Sequence, residues 1–149
     1  MNLSLIAIGK IKSGPAKDFF GLYQRRLIKD ISVKEIEVKS KGSSDEIKRL
    51  EQDLILQAIP PRAFVILLDE KGENITSESF ADKLQNLMSD KIVFIIGGAH
   101  GVTPLVKARA NLLLSFGKWT WPHMMVRVLL VEQIYRAQQI HLNHPYHKE

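Results

Sequence analysis

At 149 residues, with 45% hydrophobic and 25% charged residues, the chain has the size and make-up of one globular domain with a core of its own. No run of 18 apolar residues is present, and the opening MNLSLIAIGKIK carries neither a basic leader nor a small-residue cleavage site, so it reads as a first strand. The absence of cysteine excludes disulfides, thiolate metal sites and thiol nucleophiles and favours the cytoplasm, while a net charge of +5 and a pI near 9.5 favour a polyanionic partner.

Asn2–Ile8 alternates and then runs apolar, as a strand does. Pro15 opens a helix at a position where its missing N–H costs nothing, with Phe19, Phe20, Leu22, Tyr23 and Leu27 on one face and Arg25, Arg26 and Lys29 on the other. Ile31–Val38 alternates as a second strand. Ser44 or Asp45 caps a helix to about Ala58, with Ile47, Leu50, Leu54 and Ile55 inward, and Pro60-Pro61 ends it. Ala63–Leu68 is apolar throughout, the mark of a strand covered on both faces, and Asp69-Glu70-Lys71-Gly72 reads as a turn.

Thr76 or Ser77 starts a helix reaching about Met88, and Ile92–Ile96 is another buried strand. Thr103-Pro104 is an N-cap followed by a proline at the first helical position, so a short helix runs to about Ala110. A short strand lies within Asn111–Phe116. The last helix, about Met124–Leu142, is apolar nearly all round in its first half and must be covered on more than one side, a second subunit being one such cover. Glu132 and Arg136, four apart, can pair on it. Strands alternating with helices define an α/β fold with a mostly parallel sheet flanked by helices.

Three stretches carry the chemistry. Gly97-Gly98-Ala99-His100-Gly101 follows a buried strand and precedes a helix, where open α/β sheets take ligands and where glycine lets a ligand approach the main chain. The spacing is neither a dinucleotide fingerprint nor a P-loop; the alternative is a tight turn. Phe116–Trp121 (Phe116, Gly117, Lys118, Trp119, Thr120, Trp121) offers ring faces for a flat heterocycle and backbone groups for its edge; the alternative is two core tryptophans. His123 opens the last helix as a cap or a substrate contact, and Arg127, in an apolar segment, either pairs with a carboxylate or faces an anionic ligand.

The tail from Asn143 to Lys148 is rich in groups that hydrogen-bond, stack and contact phosphate, which suits a lid closing one small-molecule pocket with the other two stretches. His141, His144 and His147 recur by threes, but Pro145 interrupts a helix and no carboxylate ligand is near, so no metal site is expected. Lys10, Lys12, Arg25, Arg26, Lys29, Lys39 and Lys41 are candidates for phosphate contacts.

Ile95–Gly101 with Thr103-Pro104, Pro122-His123 with Val126-Arg127-Val128, then Glu132, Tyr135-Arg136-Ala137 and the closing NHPYHKE together resemble the RlmH family over essentially the whole chain. Tyr23-Gln24-Arg25-Arg26 and the Leu68-Asp69 step fit too. One departure is Ala99-His100, where many relatives carry residues such as Pro-Glu.

The resemblance implies a SPOUT-class methyltransferase with a trefoil-knotted C-terminal region, working as a homodimer. It implies S-adenosylmethionine as donor, and N3 of a pseudouridine in 23S ribosomal RNA of the assembled ribosome as acceptor. Carried over by position, cofactor contacts fall on Leu68, Gly97, Gly98 and Phe116–Trp121, and the substrate side on His123, Arg127, Tyr146, His147 and Lys148. Tyr146 or His147 is expected to position the nitrogen or relay its proton, with Arg127, Arg136 and Lys148 anchoring phosphates or favouring the deprotonated base. Two other classes remain open from the residues alone: a non-catalytic RNA-binding module, and an enzyme acting on small nucleotides.

Overall fold

The computed structural model describes residues 2–87 and 91–148. Five parallel strands form one sheet in the order β2-β1-β4-β3-β5: β1 Asn2–Ile8, β2 Ile31–Ile36, β3 Phe64–Glu73, β4 Lys91–Ile96 and β5 Leu112–Leu114. The helices are α1 Pro15–Arg26, α2 Ser44–Ala58, α3 Ser77–Asn86, α4 Pro104–Arg109 and α5 His123–His141. Among the described residues no helix is long and apolar enough to cross a membrane.

The continuous apolar strands are explained by two cores. Leu3, Leu5, Phe94, Ile92 and Ile66 point to one face, where α1 and α3 pack along α5 and Leu130, Val131 and Ile134 close the layer. The alternate residues Ile6, Ile8, Val93, Ile95, Val65 and Leu67 point to the other, against Ile55 of α2 and Val106 of α4. Each large side chain buried this way contributes about 1.5–3 kcal/mol, so both periodicities are strongly enforced.

Three details of the helices differ from the sequence expectations. On α2 the buried row is Glu51 and Ile55, while Leu50 and Leu54 are 45% and 41% exposed; they lie about 100° round the helix from that row. Ser43 is its cap, accepting from the Glu46 amide at 3.2 Å. Thr103 occupies the α4 N-cap, but its hydroxyl makes no capping bond and is buried without a partner. The Met88 boundary expected for α3 lies outside the described residues.

The expected turn at Asp69–Gly72 is instead a bulge inside β3. Leu114 of β5 pairs with Leu68 before the irregularity and with Glu73 after it. Gly72 lies so close to β5 that a Cβ there would stand 2.6 Å from the Leu113 carbonyl group, so the close approach requires glycine. The bulge throws Asp69, Glu70 and Lys71 outward to the carboxyl ends of the strands.

Candidate active site

A cleft of about 440 Å³ opens at the carboxyl ends of β3, β4 and β5, within the range of small-molecule pockets. The β3 bulge forms one rim, the Gly97–Gly101 turn another, and Phe116–Trp121 with the start of α5 the third. Of the residues expected to hold a cofactor, Leu68, Gly97, Gly98, Phe116, Gly117, Trp119, Thr120 and Trp121 all line it, and so does His123. Lys118 is exposed beside it and not among its walls.

Local chemistry explains each rim. A Cβ on Gly97 would lie 2.7 Å from Val102 Cγ1 and one on Gly98 2.8 Å from Ile8 Cγ2. The main chain is therefore bare where the strand ends. The turn closes by a bond from the Gly101 amide to the Gly98 carbonyl at 3.0 Å, with Gly101 at φ +78°. The Phe116–Trp121 segment is tied to the bulge: Ser115 Oγ lies 3.1 Å from the Glu70 carbonyl and 2.7 Å from that of Gly117. Thr120 Oγ1 donates to Glu70 Oε2 at 3.0 Å. Trp121 Nε1 donates to the Phe116 carbonyl at 3.2 Å, fixing its ring. Trp119 is 77% exposed, which removes the reading of two core tryptophans.

Arg127 takes the carboxylate-pairing alternative. It is 1% exposed, and its Nη1 lies 2.6 Å from Glu35 Oε2 on β2, while Nη2 donates to the Gly9 carbonyl at 2.6 Å. Burial works to raise the Glu35 carboxyl, but the Arg127 hydrogen bond, the Ile11 amide, and the charges of Arg127 and Lys10 hold it below the usual range. The pair pins the β1–α1 connection to α5, and Arg127 lies outside the lining of the cleft, at the edge of a second one beside α1.

The tail does not cover this chain's own cleft. Asn143 adopts φ +54°, and the His144 and Asn143 amides donate to the carbonyls of Gln139 and Ile140. That left-handed cap stops α5 and turns the chain back along it. Tyr146 then packs edge-on to Tyr135, with Arg136 over its ring. Its hydroxyl donates to Glu132 Oε1 at 2.9 Å and sits 3.2 Å from Tyr23 Oη. Burial, then those two neighbours, push the phenol well above its ordinary value. His147 bridges Arg136 (3.1 Å) and Glu78 (2.9 Å), and Glu132 pairs with Arg136 at 2.6 Å as its spacing foretold. The His147 bond holds Glu78 below the usual carboxylate range.

Arg26 lies over the Tyr23 ring, and Arg25 lines a separate cleft beside α1. The three histidines part company, His141 bonding the Ala81 carbonyl and His144 the Tyr146 amide; among the described residues no cluster suits a metal.

Sequence reasoning missed several rim residues: Lys48 from α2, Asp69, Glu70 and Lys71 from the bulge, and Lys107 from α4. Lys107 Nζ stands 3.7 Å from Asp69 Oδ2 across the mouth. A bulge in an otherwise apolar strand leaves no periodic signal, so its polar residues read as a turn.

A parallel sheet with a glycine cradle and a tethered aromatic loop at its carboxyl ends defines a domain that binds a small molecule. The family model described as "Predicted SPOUT methyltransferase" matches residues 1–147, which sets the class. Relatives named ribosomal RNA large subunit methyltransferase H share 49% identity in Rhodospirillum centenum and 45% in Paramagnetospirillum magneticum, each over 99% of both chains. One from Clostridium botulinum shares 43%, over 99% of this chain and all of its own. The chain belongs to this RlmH family of SPOUT methyltransferases. Among solved structures, the SpoU methyltransferase AviRb from Streptomyces viridochromogenes, in complex with AdoMet, superposes with a TM-score of 0.49 at 9% identity over 94% of this chain and 61% of its own. That likeness is too distant to bear on function.

Proposed function

We propose that this protein is a single-domain, cytoplasmic homodimer that methylates N3 of a pseudouridine in 23S ribosomal RNA of the large subunit, with S-adenosylmethionine as donor. The observation that carries the reading is the cleft: a bare glycine main chain facing a tethered aromatic loop, in a chain aligned end to end with rRNA methyltransferases. The residues fit an adenosyl group. Leu68, Leu114, Phe116 and Trp121 give apolar walls, and the main chain of Trp119 and Thr120 offers donors and acceptors to a heterocycle edge, that of Gly117 being held by Ser115 Oγ. The uncapped start of α5 at His123 adds free amides at the open side.

The bound sulfonium supplies an electrophilic methyl carbon. The chain's own part is to align the acceptor nitrogen with that carbon and to accept or relay the N3 proton. No covalent enzyme intermediate is needed, which suits a chain without cysteine. His123 faces the substrate from the cleft mouth. Tyr146 acts as a neutral hydroxyl that positions the base, since its proton is held too firmly for it to serve as a base near neutral pH. His147 and Arg136 orient the tail, and Lys148, Arg25 and Arg26 meet RNA phosphates.

The tail reaches a cleft by crossing to the partner subunit. Supporting a second copy is an apolar groove of about 200 Å³ between the α1–β2 connection, α3 and α5, lined in part by the exposed Ile28 and Leu142. The expected knot would lie where the Ser115–Trp121 segment passes the β3 bulge.

The test is methylation in vitro of ribosomes from cells lacking the gene, followed by mass spectrometry of the RNA. One added methyl on a 23S pseudouridine is expected. Methylation of free nucleosides without ribosomes would point to a small-nucleotide enzyme, and no methyl uptake at all to an RNA-binding module.

A further inference from the structure

Between β1 and β4 the chain leaves the sheet in opposite directions: β1 leads through α1 to β2, and β4 through α4 to β5, on opposite faces. The crevice beyond this strand pair adjoins the cleft at Gly98, which lines it, while Ile8 and Glu51 lie behind that wall. Its floor is Ile8 at the end of β1 and Gly98 beyond the end of β4. From α2, Glu51 comes up beneath it: a Cβ built on Gly98 would meet the two Glu51 carboxylate oxygens at 3.3 and 3.5 Å. Glu51 is only 7% exposed, and its Oε1 has no hydrogen-bond partner. One turn earlier on the same helix, Lys48 already lines the cleft.

A buried carboxyl oxygen without a donor destabilises the fold that holds it. Such a group persists where another state of the protein uses it. The loop above it is bounded by the Gly101-to-Gly98 bond, leaving Ala99 and His100 in the span between. His100 also supplies the opposing charge that acts on Glu51, and it stands exposed at the cleft rim. Burial outweighs that charge and raises the carboxyl above its ordinary value.

We propose that Glu51 is a positioning residue for the methyl-donor cleft: its unpaired carboxyl oxygen receives a donor from the Gly97–Gly101 loop when the cleft is filled, and so sets the loop's ligand-bound shape. This rests on the reading of the cleft as the donor site. The absence of a side chain at Gly98 lets the carboxylate lie directly against the main chain. A purely architectural glutamate would make the empty protein more stable; an unpaired one makes it less so.

The experiment uses the full chain with Glu51→Met, which keeps the volume without the oxygens, and Glu51→Gln, which keeps an acceptor. Melting is measured without ligand, and S-adenosylmethionine affinity by calorimetry. Glu51→Met is expected to melt no lower than the natural protein yet to bind at least tenfold more weakly, with Glu51→Gln recovering most of the affinity. Affinity of Glu51→Met within twofold of the natural protein, or a clear drop in its ligand-free melting temperature, overturns the inference. If the natural protein itself takes up no S-adenosylmethionine, the reading of the cleft fails and the inference with it. Equal uptake by the natural protein and Glu51→Met removes the inference alone.

Discussion

Replacing Arg127 by methionine should cost stability rather than ligand affinity. The guanidinium is almost wholly enclosed and bonds Glu35 Oε2 and the Gly9 carbonyl, each at 2.6 Å. Stranding one partner of a buried ion pair costs roughly 3–5 kcal/mol. Glu35, with its side chain 27% exposed, regains water when Arg127 is gone, so the low end applies, about 3 kcal/mol. At roughly 2–4 °C per kcal/mol for a chain of this size, the melting temperature falls by roughly 6–12 °C. Urea unfolding followed by circular dichroism, at one fixed protein concentration, gives the difference directly. Glu35→Ala should cost at least as much, because the stranded guanidinium has no access to water. A loss below about 1 kcal/mol, the worth of a surface pair, would show that Arg127 does not hold the β1–α1 connection to α5.

The same pair predicts an acid limb. Glu35 titrates below its ordinary value when folded, so its contribution is present above the unfolded value of 4.5 and is lost as pH falls through the lower folded one. Stability against pH should therefore drop less steeply there in Arg127→Met. Gly98→Ala forces a Cβ against Ile8 Cγ2 and the Glu51 carboxylate, and calorimetry should show S-adenosylmethionine affinity reduced at least tenfold, about 1.4 kcal/mol. Removing residues 146–149 should abolish ribosome methylation while changing donor affinity by less than about tenfold; retained methylation would exclude the tail from the substrate side. Tyr146→Phe, which loses the bond to Glu132, should lower the methylation rate without removing any pH-dependent step below about pH 10.

The strands, the parallel sheet and the glycine turn were legible in the residues because each rests on local chemistry. Val and Ile runs suit a sheet covered on both faces, prolines at first helical positions start α1 and α4, and Gly97-Gly98 ends a strand. The Glu132–Arg136 pair followed from helical spacing alone. The α2 face was misread because Ile47, Leu50, Leu54 and Ile55 satisfy two adjacent rows of a helix, and only the sheet beneath decides which row docks. Glu51 passed unnoticed for the same reason: in one dimension it is a charge on a polar helix.

Composition and pattern thus determined the architecture and the sites where a ligand can meet the main chain. Tertiary structure alone decided which polar side chains reach that place. The β3 bulge exists because β5 pairs on both sides of it, Arg127 is committed inward because Glu35 lies 92 residues away in sequence and 2.6 Å in space, and the tail is turned from its own cleft by the left-handed cap at Asn143 and the packing of Tyr146 on Tyr135. Backbone preference is written residue by residue, but the partner of a buried charge is set by how distant segments meet, and that is a property of the folded chain.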